Sequence, residues 1–114
     1  MKALPISLSL ALTVISCRGP KWKTETYTYD NLARETISEN TPIRIYYQKT
    51  DIKFSYKIIG RAHAISSKKQ SYQDPVPVKL LQEQARKIGG HALLPPSLND
   101  KYTWTAPIIQ RIDQ

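Results

Sequence analysis

Val78, Leu81, Ala85 and Ile88 recur at spacings of three, four and three, so they form one apolar stripe along a helix. Lys79, Gln82, Glu83 and Arg86 fall on the opposite arc. Asp74 is placed to cap the start, with Pro75 or Pro77 inside the first turn, where a missing N–H costs nothing. Glu83 and Lys87 stand in the favourable order for a four-apart ion pair, worth roughly a few tenths of a kcal/mol. Gly89 and Gly90 end the helix, because glycine accepts the left-handed conformation that releases the chain. A helix with one apolar stripe must bury it against another layer, and the flanking sequence supplies strands.

Ile43, Ile45 and Tyr47 alternate with Arg44, Tyr46 and Gln48; Ile52, Phe54, Tyr56 and Ile58 alternate with Lys53, Ser55 and Lys57. With Lys49, Thr50 and Asp51 as the loop, these predict a half-buried antiparallel hairpin. Extended structure continues to Ile65. Gly60 marks a bulge or a close backbone approach, and Ala62 and Ala64 leave room for a packed layer above. Ser66 to Tyr72 reads as a polar, basic loop. Ala92, Leu93 and Leu94 predict a short buried strand that Pro95-Pro96 stops, and Ala106, Ile108 and Ile112 a final one. Upstream, Thr24 to Tyr29 alternates as a strand whose partner the sequence does not identify. Leu32, Ala33 and Ile37 suggest one or two helical turns, and residues 39–42 a loop. The expected fold is α+β: one helix packed on a small, mainly antiparallel sheet.

Cys17 is the only cysteine, so no intrachain disulfide can form and packing alone must hold the fold. That packing works near the lower size limit. Removing residues 1–16 from the 114 leaves 98, where core burial only just outweighs chain entropy.

The reason to remove them is the layout of the amino terminus. Lys2 precedes a mostly apolar run, Ala3 to Ile15, which is too short to span a bilayer and ends at Ser16-Cys17. A buried helix fits poorly, since Pro5 sits early and apolar residues occur all round. Val14-Ile15-Ser16-Cys17 resembles the lipobox of bacterial lipoproteins. The resemblance implies a diacylglycerol on the Cys17 thiol, cleavage before Cys17, and acylation of the new amino terminus. It divides the chain into a signal peptide (1–16), a lipidated cysteine with its tether (17–41) and a small α+β domain (42–114). It also implies a lipid-anchored protein of the cell envelope. Arg18 is not the aspartate that retains such proteins in the inner membrane, so a Gram-negative source implies the outer membrane. Arg18, Lys21, Trp22 and Lys23 suit a membrane interface, with indole at headgroup level and cations on phosphates; a plain linker is the alternative.

Lysine and arginine number 17 against 9 acidic residues, and losing Lys2 with the signal takes the net charge from +8 to +7. For an exported chain the counter-charge is anionic lipid, lipopolysaccharide or an envelope protein, and not nucleic acid. A solvated basic surface without a specific partner fits equally.

Gly60 in a strand, followed by Leu81, Ala85, Ile88-Gly89 and Ala92-Leu93-Leu94, is similar to a pattern of small bacterial envelope lipoproteins. That group includes the outer-membrane stress sensor of the Rcs phosphorelay, and the similarity spans about residues 43–94. This chain departs from it at Gly90 and His91, where alanine and aspartate are usual, at Pro95-Pro96, and in lacking the sensor's stapling cysteines.

No catalytic signature stands out. A serine or cysteine nucleophile needs a histidine base and an orienting acid, and His63 and His91 sit in no recognisable local pattern. They lie on different elements, so no metal site or cofactor is expected. His63 reads as a strand-surface residue, His91 as a partly buried turn residue near the helix C-terminus, and the seven tyrosines as strand-face packing. Three readings stand. The first is a non-enzymatic envelope lipoprotein with a binding or structural role. The others are a stress sensor or accessory subunit acting through a protein partner, and a periplasmic hydrolase with an unrecognised site.

Overall fold

The structure, a computed structural model, describes residues 21–30, 32 and 34–112. In chain order it contains β1 (Trp22–Thr28), β2 (Arg44–Ile45), a 3-10 turn (Lys49–Asp51), β3 (Tyr56–Ser66), α1 (Val78–Lys87), β4 (Ala92–Leu93), β5 (Ser97–Leu98) and β6 (Thr103–Arg111). The fold is α+β, as expected: α1 packs on a sheet of order β1-β3-β6-β4-β2, with β5 also paired to β6. Every pairing is antiparallel except β2 with β4.

Two long strands form the centre, β3 and β6, aligned from Tyr56 opposite Arg111 to Ile65 opposite Thr103. Their helix-facing residues Ala62, Ala64, Ala106 and Ile108 are fully buried, and the three alanines make a shallow floor on which Leu81 and Ala85 sit. The register slips between Ile58 and Gly60. A Cβ on Gly60 would collide with the Tyr27 carbonyl oxygen and lie 3.0 Å from Ile88 Cδ1, so both the bulge and the close approach are present.

α1 ends as its glycines require. Gly89 has φ +80°, the Gly90 N–H donates to the Ala85 carbonyl (2.8 Å), and the Gly89 N–H to that of Arg86 (3.2 Å). Its start differs from expectation. Pro77 occupies the cap position with no side-chain bond, while the Asp74 carboxylate accepts from the Ser71 N–H (2.7 Å), closing a turn ahead of the helix. Glu83 pairs with Arg86 (3.3 Å) instead of Lys87. The Arg86 guanidinium also donates to the carbonyls of Ser38 (3.3 Å) and Thr41 (2.7 Å), which fixes it beside Glu83. The Gln82 amide donates to the Ile43 carbonyl (2.6 Å), so part of the arc opposite the apolar stripe is covered by residues 37–43.

The hairpin predicted across residues 43–58 does not form. β2 is two residues long and runs parallel to β4, Lys49–Asp51 is a 3-10 turn, and β3 begins only at Tyr56. Residues 44–45 pair with β4 instead, and residues 52–55, which would have opposed them, stand outside any strand. Most of the apolar residues are at least partly buried nonetheless, although Tyr47 (61% exposed) and Ile58 (41%) are not. Ile43 (2% exposed) joins the core under α1, while Tyr46, Ile52, Phe54 and Tyr56 pack on Ala92, Leu94 and Ile109 across the sheet.

The upstream strand is present as β1, and its partner is β3, with Glu25 opposite His63. Residues 22–28, placed in the tether by sequence, are thus an edge of the sheet. The helical turns expected near residue 32 are absent from the described residues there; Ala33 lies outside them.

Candidate functional site

α1 covers one face of the sheet and leaves the central part of the other open. Cross-strand partners share a face, so the open side carries three rows: Lys23–Ile65–Thr103, Glu25–His63–Thr105 and Tyr27–Arg61–Pro107. Two depressions lie here. One, of about 570 Å³, is lined by Tyr27, Tyr29, Arg61 and His63. The other, of about 380 Å³, runs from Lys49 and Arg61 over Ile58, Leu94 and Pro107 to Thr105. Arg61 stands between them and lines both. Among the described residues neither lining contains a carboxylate, although each contains a cation.

The side chains are held by their neighbours. Arg61 Nε donates to the Tyr29 hydroxyl, and the guanidinium carbon lies 5.9 Å from the centre of that ring. Tyr27 meets His63 edge to face at 4.9 Å, and its hydroxyl donates to Glu25 Oε1 (3.0 Å). That acceptor raises the Tyr27 phenol above its ordinary pKa. His63 Nδ1 and Thr105 Oγ1 form a hydrogen bond of 3.2 Å. Burial, then the charge of Arg61, pushes the imidazole below its ordinary pKa, with Glu25 acting weakly the other way.

Beneath this row lies buried Gln84 of α1. Its Oε1 accepts from the His63 N–H (3.0 Å) and the Thr26 hydroxyl (2.8 Å), and its Nε2 donates to the carbonyls of His63 (2.9 Å) and Leu80 (3.2 Å). One amide thereby ties α1 to both β3 and β1. Nothing in the apolar stripe signals it, since glutamine at this place reads as a surface residue.

Glu25, His63 and Thr105 lie side by side as acid, imidazole and hydroxyl, the components of a nucleophilic relay. The relay is incomplete. Glu25 hydrogen-bonds Tyr27 and not the imidazole, and Thr105 is only 8% exposed. What the face offers more directly is anion recognition: a guanidinium, a nearby ammonium, hydroxyls, aromatic edges and apolar walls.

No protein-family model, curated protein or solved structure matches the chain. Its function must be read from its own residues.

The sequence-selected residues are dispersed. Cys17 and Arg18 lie outside the described residues. The Lys21 N–H donates to Ser67 Oγ (2.9 Å) and its side chain is exposed. Trp22 is half-buried against the core on the α1 side, and Lys23 lies on the open face opposite Ile65. His91 is exposed rather than partly buried, and its Nδ1 accepts from the Arg111 N–H (3.3 Å). It sits level with Arg111 while His63 sits level with Thr105, roughly 20 Å apart along β6. Among the described residues no group of three metal-ligating side chains converges, and no helix is long and apolar enough to cross a membrane. Tyr46 and Tyr56 pack as expected, but Tyr27 and Tyr29 are about half exposed and line the open face.

Proposed function

We propose that the chain is a lipid-anchored protein of the bacterial envelope that binds an anionic envelope component on the open face of its sheet, without catalysing a reaction. The anchor rests on the sequence alone: the apolar run from Ala3 to Ile15 ending in Ser16-Cys17. The binding role rests on one observation, that the two adjoining depressions share Arg61 and, among the described residues, are lined by cations and no carboxylate. Their apolar and hydroxyl-bearing walls suit a phosphorylated headgroup or sugar better than a bare ion. Anionic phospholipid and lipopolysaccharide both present that chemistry. A hydrolase would draw on the Glu25–His63–Thr105 row, where the acid is engaged elsewhere. The sensor reading rests on the resemblance of residues 43–94 and gains nothing from this face.

Two measurements test the proposal. Labelled palmitate is expected in the wild-type chain and absent from Cys17→Ser; equal labelling removes the anchor. Lipopolysaccharide and phosphatidylglycerol vesicles are expected to bind the wild type, and Arg61→Ala to weaken the preferred ligand by about tenfold to a hundredfold, the loss of one charge-assisted contact. Affinity unchanged by Arg61→Ala and by salt removes the binding site.

A further inference from the structure

We infer that two copies of this chain pair edge to edge through β1, antiparallel, joining their sheets into one. β1 is an outer strand of the sheet. The Ser67 N–H donates to the Lys21 carbonyl and the Tyr29 N–H to the Ile59 carbonyl, each at 2.9 Å, which fixes the parity of the ladder. Odd-numbered β1 residues bond β3, so the backbone N–H and C=O groups of Trp22, Thr24, Thr26 and Thr28 point away from it. Among the described residues no strand pairs with that edge. The strand is seven residues long, has no proline and no bulge, and carries β-branched threonine at alternate positions. Shortness, proline and a bulge, three devices that blunt an edge, are missing here, whereas the opposite edge, β2, is two residues long and follows Pro42.

Charge identifies the occupant as a second copy. The charged side chains of β1 are Lys23 and Glu25, opposite in sign and on the same face. A two-fold axis at Thr24 sets Lys23 against Glu25 of the second copy, twice, with Thr24 facing Thr24. Neither residue makes an ion pair with a described residue, and the Tyr27 hydroxyl occupies one oxygen of Glu25. A two-fold axis at Thr26 would place Glu25 against Tyr27 and leave Lys23 without an acid. The first register also puts both helices on one side of the joined sheet and both open faces on the other, doubling the cationic surface.

The test uses the full chain, purified and concentrated, with the wild type as baseline because Cys17 is its only cysteine. In Thr24→Cys the facing Cα atoms would lie about 5.5 Å apart, within disulfide reach, whereas in Thr28→Cys they would be roughly 27 Å apart. Mild oxidation is expected to give a covalent dimer from Thr24→Cys, above the wild-type level, and none from Thr28→Cys. Lys23→Glu or Glu25→Lys is expected to weaken association about tenfold, since two cross-strand attractions become repulsions. The double exchange Lys23→Glu with Glu25→Lys is expected to restore it. Thr24→Cys crosslinking no better than Thr28→Cys, or a double exchange as weak as the single ones, would overturn the pairing.

Discussion

Replacing Gln84 by Met tests whether one buried amide holds the open face in place. The side chains are similar in length, so packing against Leu81 and Ala85 is largely kept while four hydrogen bonds are lost. These bonds are not equivalent. The Leu80 carbonyl is also the four-back acceptor within α1, and the His63 N–H and carbonyl face β1, where the ladder pairs them with Glu25. The Thr26 hydroxyl lies on the exposed edge strand, where water can replace its acceptor. At about 1 kcal/mol for a typical net hydrogen bond, the four give an upper bound near 4 kcal/mol. Because each partner keeps an alternative, the lower end of the range, about 0.5 kcal/mol per bond, applies and the four give about 2 kcal/mol. A domain of this size has roughly 5–15 kcal/mol in total, so urea unfolding should show the loss clearly. The location of the effect is the sharper readout. Amide exchange is expected to accelerate in β1 while β3–β6 amides keep their protection, because Gln84 joins β1 to the helix and β6 does not depend on it. A loss below about 0.5 kcal/mol, within the range of ordinary surface substitutions, or exchange that rises uniformly, would refute the clamp.

Gly60→Ala is expected to destabilise by about 3 kcal/mol, the upper end for overpacking, because its Cβ meets the Tyr27 backbone carbonyl, which cannot move without breaking the β1–β3 ladder; thermal unfolding by circular dichroism checks this, and a Tm within 2 °C of wild type would contradict it. Asp30 carries a bidentate contact from Arg34 (2.9 and 2.8 Å) that holds its carboxyl down to about 2. The pair's stabilisation is therefore complete above the ordinary carboxylate range and lost as pH falls toward 2. Carboxyl NMR titration should show this, with Arg34→Gln raising the Asp30 pKa toward the ordinary carboxylate range.

The helix and its stop were readable from the sequence because both are local: a 3.6-residue period and two glycines need no knowledge of the rest of the chain. The same holds for β3, where Gly60 between extended segments announced a bulge. The largest failure is a question of pairing. Alternation in residues 43–58 picked out Ile43, Ile45, Ile52, Phe54 and Tyr56, which are at least partly buried, but also the exposed Tyr47 and Ile58, and it set the packed Tyr46 on the other face; period two says which side chains share a face but not which edge is free. Asp74 illustrates a local competition: its carboxylate satisfied Ser71 within a turn, three residues before the helix began. The candidate site was the least legible part. Arg61 and His63 come from β3, Tyr27 and Tyr29 from or beside β1, Lys49 from the 3-10 turn and Pro107 from β6. No pair of these from different strands is near in sequence, and only the cross-strand register assembles them.

That register also bears on the proposed attachment to a membrane. As free tether residues, Trp22 and its flanking lysines would share one interface, indole and ammonium groups at the same depth. In β1 they alternate: Trp22 turns toward α1 and packs on the core edge, while Lys23 turns to the open face. A single membrane surface cannot receive both side chains while β1 stays in the sheet. The indole already has an apolar neighbourhood made by Val76 and Pro77, so leaving the sheet would forfeit that contact as well as the β1 ladder. Lys23, by contrast, lies on the same side as Arg61 and Lys49. If the chain is lipid-anchored as proposed, a negatively charged membrane surface is met most favourably by the open face, with α1 turned away from it, and Lys23 and the candidate site then belong to one cationic surface.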